Sequence, residues 1–192
     1  MTPAKRLSWW VIFVGFRLIE VIPAAAAAPA PDVLHIGPAA VLGDEMNVLT
    51  IGAGAFDIAR EQRGVSAGTS AAGTLELRLG RKFLSAGPLA GVLTNSDGGV
   101  YGYGGIYFDV ALDSEQRWKF SPFGEAGRYH QGHSKFLGGV FAFQLGGNIS
   151  YQIAEHSRIG IQVMHISNAF IYRENPGAET ALITYGWCFD LP

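Results

Sequence analysis

Apolar and polar positions alternate along most of this chain. Eight period-two runs, separated by turn-rich breaks, occupy about 47–57, 69–81, 86–94, 100–112, 117–129, 136–151, 157–167 and 179–189. The clearest stretch is Leu75-Glu76-Leu77-Arg78-Leu79, with leucines on one side and charges on the other. The first run places Leu49, Ile51, Ala53 and Ala55 on one face. The fourth sets Ile106, Phe108, Val110 and Leu112 against Tyr101, Tyr103, Tyr107 and Asp109. The fifth sets Trp118 and Phe120 against Lys119, Ser121 and Glu125, and Pro122 inside it predicts a bulge or a strand end. In the sixth, Leu137, Phe141, Phe143, Leu145, Ile149 and Tyr151 oppose Gln144, Asn148 and Ser150. In the last two, Ile159, Ile161 and Val163 share a face with His165, and Ala181, Ile183, Tyr185, Trp187 and Phe189 share one with Glu179.

Several runs span 10 to 16 residues. Soluble strands are usually about five or six residues long, whereas a tilted membrane-crossing strand needs about 9 to 11. Each run has one apolar face and one polar or glycine-rich face. An even number of such strands predicts an all-β fold: an eight-stranded antiparallel transmembrane β-barrel of the outer-membrane type. The 26 glycines suit a narrow lumen. Glu76, Arg78, Asp109, Lys119 and Glu125 are expected to pair inside it, and Trp118, Tyr151, Tyr185 and Trp187 to form an interfacial girdle. A soluble lipid-binding barrel of the lipocalin kind alternates too, but with the apolar face inward. Breaks near 82–85, 113–116 and 153–156 read as periplasmic turns. Stretches at 58–67, 130–135 and 168–178 read as longer outer loops, with a tight outer turn at 95–98.

The N-terminal segment adds a location. Lys5 and Arg6 precede an apolar run from Leu7 to Phe16, and alanines 24–28 lead into Pro29-Ala30-Pro31. This is the layout of a secretory signal peptide over 1–28, leaving a single barrel domain over 29–192. The expected location is the outer membrane of a Gram-negative cell. A formal charge of -2 argues against a nucleic-acid partner. The single cysteine, Cys188, excludes an intramolecular disulfide and a cysteine-based zinc site.

The candidate chemistry lies in the last two runs. His165 and Ser167 are two residues apart, so on a strand they share a face. Glu179 opens the following run, and a hairpin would return it beside them. A serine hydroxyl needs an adjacent base, and the base needs an orienting group. Each residue alone is ordinary at a strand end. Together on a lipid-facing stripe they point to function, because ionisable groups there are costly. Asn168, Asn175 and the loop backbone around Ala169 and Gly177 are the nearby donors for an oxyanion.

His165-Ile166-Ser167-Asn168-Ala169, followed by Asn175 and Glu179, resembles the H-x-S-N-A and N-x-x-x-E motifs of the outer-membrane lipid A 3-O-deacylase family, PagL. The resemblance implies an esterase that removes the 3-position acyl chain of lipid A. Ser167 would be the nucleophile, His165 the general base and Glu179 its partner. Asn168 and Asn175 would lie around the oxyanion site. Family members often carry Gly after the Ala, where this chain has Phe170. The implied partners are lipopolysaccharide as substrate and outer-membrane lipid around the barrel; a homodimer is left open. The chemistry calls for no cofactor and no metal.

Elsewhere, Tyr129, His130 and His133 adjoin Ser134 and Lys135 in an outer loop. Two histidines without carboxylates make a poor metal site, so solvent or lipid-headgroup contact fits better. Arg60, Arg63, Lys135 and Arg173 are further candidates for headgroup phosphates. The rival reading is a small non-enzymatic surface barrel, structural or adhesive, in which the polar trio is incidental.

Overall fold

The computed structural model describes residues 32–59 and 68–190; the segment read as a signal peptide, most of the 58–67 loop and its Arg60 and Arg63 lie outside these. The described residues form eleven strands and no helix: β1 (Asp32–Ile36), β2 (Ala39–Leu42), β3 (Asn47–Phe56), β4 (Ser70–Arg78), β5 (Gly87–Asn95), β6 (Val100–Tyr107), β7 (Val110–Ala111), β8 (Trp118–His130), β9 (Phe141–Ala154), β10 (Ser157–Ser167) and β11 (Ala178–Phe189). Eight of them close an antiparallel barrel in the order β3-β4-β5-β6-β8-β9-β10-β11, and β11 returns to pair with β3. Closure removes every free edge within the ring.

The faces decide which kind of barrel this is. Leu145 is 66% exposed and Ile183 73%, whereas Glu76 is 1% exposed on the inside. Apolar side chains point out and polar ones in, the inverse of a soluble lipid carrier. Trp118 and Tyr151 pack at 4.8 Å and Trp187 and Phe189 at 5.3 Å on the outward wall near the short turns, the expected girdle.

The lumen is packed rather than open. Arg78 Nε donates to Glu76 Oε1 at 2.6 Å, and the Tyr103 hydroxyl donates to Glu76 Oε2 at 3.0 Å. Gln144 donates to Glu125 at 2.8 Å. Lys82 reaches in from its turn to Glu45 and Asp109, at 2.8 and 2.9 Å. Lys119 pairs with Glu45, and Ser121 bonds Asp109. Two gaps in the lumen, beside Arg78 and beside Asp109, measure about 10 and 30 Å³, room for single waters. Glu76, Arg78, Asp109 and Lys119 are each held by an oppositely charged side chain, which offsets the cost of burying them, whereas Glu125 is held by the neutral Gln144 amide.

Three differences from the sequence pattern have local causes. Pro122 neither bulges nor ends its strand: β8 runs through it, in unbroken register with β9 from Trp118↔Tyr151 to Arg128↔Phe141. The interruption falls on the neighbour instead. Phe108 N–H donates to Pro122 O at 3.0 Å, but Pro122 has no N–H to return, so the 100–112 run splits into β6 and β7. The sixth run begins late, at Phe141, because Gly138 turns left-handed at φ +86 against the Glu174 backbone, and Leu137 is buried rather than outward. The β1–β2 hairpin, absent from the predicted runs, turns at Gly37 and pairs through β2 with β7 at the short-turn end.

Candidate active site

The β10–β11 hairpin sets His165 and Glu179 directly opposite each other, within a register that runs unbroken from Ser157↔Trp187 to Ile166↔Ala178. Cross-strand partners on one face lie close enough for their side chains to meet. His165 Nδ1 and Glu179 Oε1 are 3.0 Å apart, with both side chains partly exposed on the outward wall. An ionised carboxylate only accepts, so in the neutral imidazole this bond places the proton on Nδ1 and leaves the Nε2 lone pair free. On its other side Glu179 is held by its backbone: Ile58 N–H donates to Glu179 O at 3.1 Å.

The imidazole rests against Gly177, which is left-handed at φ +54. A Cβ at that position would lie 2.7 Å from His165 Cε1 and 3.2 Å from Nε2. Glycine is therefore needed there twice, for backbone and for space. Ser167 ends β10 on the same face as His165, opposite Phe143 of β9. No hydrogen bond joins Ser167 to His165 among the described residues.

The loop at 168–177 is tied by Asn168, whose side chain is fully buried. Its Nδ2 donates to Leu137 O at 2.7 Å and to Glu174 O at 2.5 Å. Its backbone N–H donates to Asn175 Oδ1 at 2.8 Å. Asn168 thus joins two loops, and both of its amide protons are engaged. Ala169 and Phe170 follow at φ +51 and +61, and Ile171 N–H closes back on Asn168 O at 3.1 Å. This is a type I′ turn built without glycine, a conformation that costs L residues about 1 kcal/mol or more each. It presents the Phe170 ring 80% exposed.

Apolar surface surrounds the pair. Leu145 lies opposite His165 on β9, and Phe141 packs edge-on to Phe143 at 5.2 Å. One step toward the short-turn end, Val163 is flanked by the small residues Gly147 and Ala181. There the wall recedes into an apolar groove of about 670 Å³ lined by Phe120, Gly147, Ile149, Ile161, Val163 and Ile183. In the Tyr129–Lys135 cluster the Tyr129 hydroxyl donates to Lys135 O at 2.8 Å, and only the histidines stand apart. Tyr129 and Ser134 turn inward, Lys135 pairs with Asp57 at 2.7 Å, and His130 and His133 are exposed. No group of metal-ligating side chains occurs among the described residues.

The model of the lipid A 3-O-deacylase (PagL) family matches residues 73–188, more than half of the chain. The chain belongs to the PagL family. The match runs from within β4 almost to the end of β11, so it takes in His165, Ser167 and Glu179. The solved structure described as the outer membrane enzyme PagL superposes with a TM-score of 0.53 at 14% identity, covering 75% of this chain and 99% of that one. At that identity it establishes the shared fold. A structure from the de novo design of transmembrane β-barrels gives a TM-score of 0.48 at 8% identity, covering 77% of this chain and 98% of that one. A search of curated protein sequences returns no match.

Two features of this PagL-family site escape sequence reading. The Leu137 carbonyl that holds Asn168 comes from a separate loop, and the space beside Gly177 exists only once the imidazole is placed. The spacing of His165 and Ser167, by contrast, already signals their common face.

Proposed function

We propose that this protein is an outer-membrane esterase that hydrolyses the 3-position acyl ester of lipid A through Ser167, His165 and Glu179. The observation that carries the reading is the His165–Glu179 hydrogen bond on the lipid-facing wall of a PagL-family barrel, with Ser167 on the same face. A packed lumen leaves the outer wall as the place for chemistry, and a substrate anchored in the bilayer arrives there.

In this mechanism Glu179 holds the His165 tautomer, and Nε2 takes the Ser167 proton as Oγ attacks the ester carbonyl. The C–O bond to the sugar then breaks, and His165 returns the proton to the leaving sugar oxygen. Water, deprotonated by His165, attacks the acyl-serine and releases the fatty acid. The released acyl chain has the groove below Val163 to occupy. The tetrahedral oxyanion needs donors aimed at it. Asn175 enters the reading through its Nδ2, together with the N–H groups of the turn at Ala169 and Phe170. Asn168 acts as the clamp that holds this turn in place. Its substitution by Ala would release two loops at once.

The test is mass spectrometry of lipid A from cells that make the protein, the Ser167→Ala variant or the His165→Ala variant, with barrel insertion checked by heat-modifiable migration. Loss of one 3-position acyl chain in the wild type alone is the expected result. An unchanged acyl pattern with an inserted wild-type barrel would overturn the reading and favour a non-enzymatic barrel.

A further inference from the structure

Along the outward face of the eight barrel strands, among the described residues, only four side chains are Asp, Glu, Lys, Arg or His: Arg128, His130, His165 and Glu179. All four sit at the loop end. His165 and Glu179 satisfy each other. Arg128 and His130, consecutive outward positions at the end of β8, are exposed, and among the described residues their side chains make no hydrogen bond or ion pair. A cation on the lipid-facing wall is tolerated near the interface and is costly deeper in. An unpaired one at that level meets the headgroup layer.

Register gives the distance to the active site. Ser167 lies opposite Phe143, which lies opposite Ala126, so the three share a row. Arg128 is one outward step beyond Ala126, opposite Phe141 and Gly102. Two strand spacings and a two-residue rise put the Arg128 and Ser167 Cα atoms roughly 12 Å apart. A sugar ring and an extended arginine side chain span such a gap. Gly102 leaves the guanidinium uncovered on one side, and the Phe141–Phe143 pair forms an apolar floor between it and Ser167.

We propose that Arg128, with His130 beside it, binds a phosphate on the headgroup of the lipid that Ser167 deacylates. It thereby positions the ester over Ser167. The inference rests on the proposed deacylase reading for the identity of that lipid. Its chemistry is a bidentate contact between a planar guanidinium and two phosphate oxygens, at an interface where water competes less than in bulk.

Binding is measured in bilayer nanodiscs on the Ser167→Ala background, so that no ligand is consumed. The ligands are phosphorylated lipid A and the same lipid stripped of phosphate. Adding Arg128→Gln should weaken binding of phosphorylated lipid A by about 10-fold or more and leave the dephosphorylated lipid unaffected. Arg128→Lys should restore part of the difference, because it keeps the charge and loses the fork. His130→Ala should have a smaller effect of the same selectivity. Equal losses on both lipids would make Arg128 a plain interfacial anchor and overturn the proposal, as would no loss on either. If Arg128→Gln does not insert, the Arg128→Lys comparison decides by the same selectivity. With Ser167 intact, turnover is a separate readout: Arg128→Gln should raise KM for the phosphorylated lipid by a larger factor than it lowers kcat. A wild-type barrel that binds lipid A with phosphate selectivity but never cleaves it would sink the deacylase reading and leave the phosphate site standing.

Discussion

The lumen and the outer wall of this barrel both carry ionisable side chains, and they treat them in opposite ways. Inside, Glu76, Arg78, Lys82, Glu45, Asp109 and Lys119 form a closed set in which each charge meets its counterpart. Outside, His165 and Glu179 are joined on an apolar wall, with Ser167 beside them and a groove beneath. The lumen sets these charges against one another and so fills space. The wall leaves hydrogen-bonding capacity over, in the free Nε2 of His165 and in the cation of Arg128, unpaired among the described residues. Polar residues on the membrane side of a barrel are rare and costly, and here they occur where a lipid substrate would be met.

Substitutions in the wall should therefore change activity and spare the fold, and the largest effects belong to the trio. Ser167→Ala and His165→Ala are each expected to lower deacylation by a factor on the order of 10⁴ or more, and Glu179→Ala by less, since it acts through His165. Thermal unfolding of all three should stay near wild type, because the side chains are partly exposed and pack against little. Lipid A turnover in mixed micelles reads the first quantity, and the heat-modifiable mobility shift reads the second. A Ser167→Ala barrel that no longer inserts would erase the contrast.

The lumen should show the reverse. Arg78→Met removes one partner of a fully buried pair and leaves Glu76 without its ion partner, which costs about 3–5 kcal/mol. The expected outcome is a lower unfolding temperature with unchanged turnover per folded molecule. If kcat fell in step with stability, the lumen and the wall would be one cooperative site rather than two.

Most of this division is legible in the sequence, for a physical reason. Alternation with a period of two states which side chains share a face, so Leu75-Glu76-Leu77-Arg78 already separates wall from lumen, and His165 and Ser167 already share the wall. It also states that Glu179 returns on that face after a hairpin. What alternation does not encode is pairing between strands distant in the chain. The split between β6 and β7 depends on Pro122 in a neighbouring strand. The clamp on Asn168 depends on a carbonyl 31 residues away. The room for the His165 ring depends on Gly177 taking a left-handed conformation. Arg128 shows the same limit: its parity is readable, but its row relative to Ser167 follows only from two cross-strand registers.

Gly177→Ala tests the finer fit of the wall and should rank below the trio. The added Cβ would sit 2.7 Å from His165 Cε1, inside contact distance, so either the ring or the loop must shift. A displacement of about 1 Å at a catalytic group can lower rate by about 100-fold. The left-handed backbone adds a stability loss of about 1 kcal/mol. Turnover should therefore fall far more than stability, with the His165–Glu179 hydrogen bond weakened. An imidazole NMR signal unchanged from wild type, together with full activity, would show that the ring tolerates the crowding.

The smallest effect, and the one that runs against intuition, is expected at Phe170. The residue is 80% exposed, so its ring contributes little packing, and its φ of +61 is a conformation that glycine adopts freely. Phe170→Gly should therefore stabilise the loop by about 1 kcal/mol, or less once the greater freedom of glycine in the unfolded chain is counted. The strain and exposure of this ring beside the candidate nucleophile make it a test case for a role in meeting the lipid. The turn adjoins Ser167 at the mouth of the apolar wall, where a bilayer-embedded acyl chain would enter. Phe170→Gly should accordingly gain stability and lose activity toward lipid A in bilayers, while activity toward a short water-soluble ester stays the same. Equal activity on both substrates would reduce Phe170 to a residue whose strain nothing in the site requires.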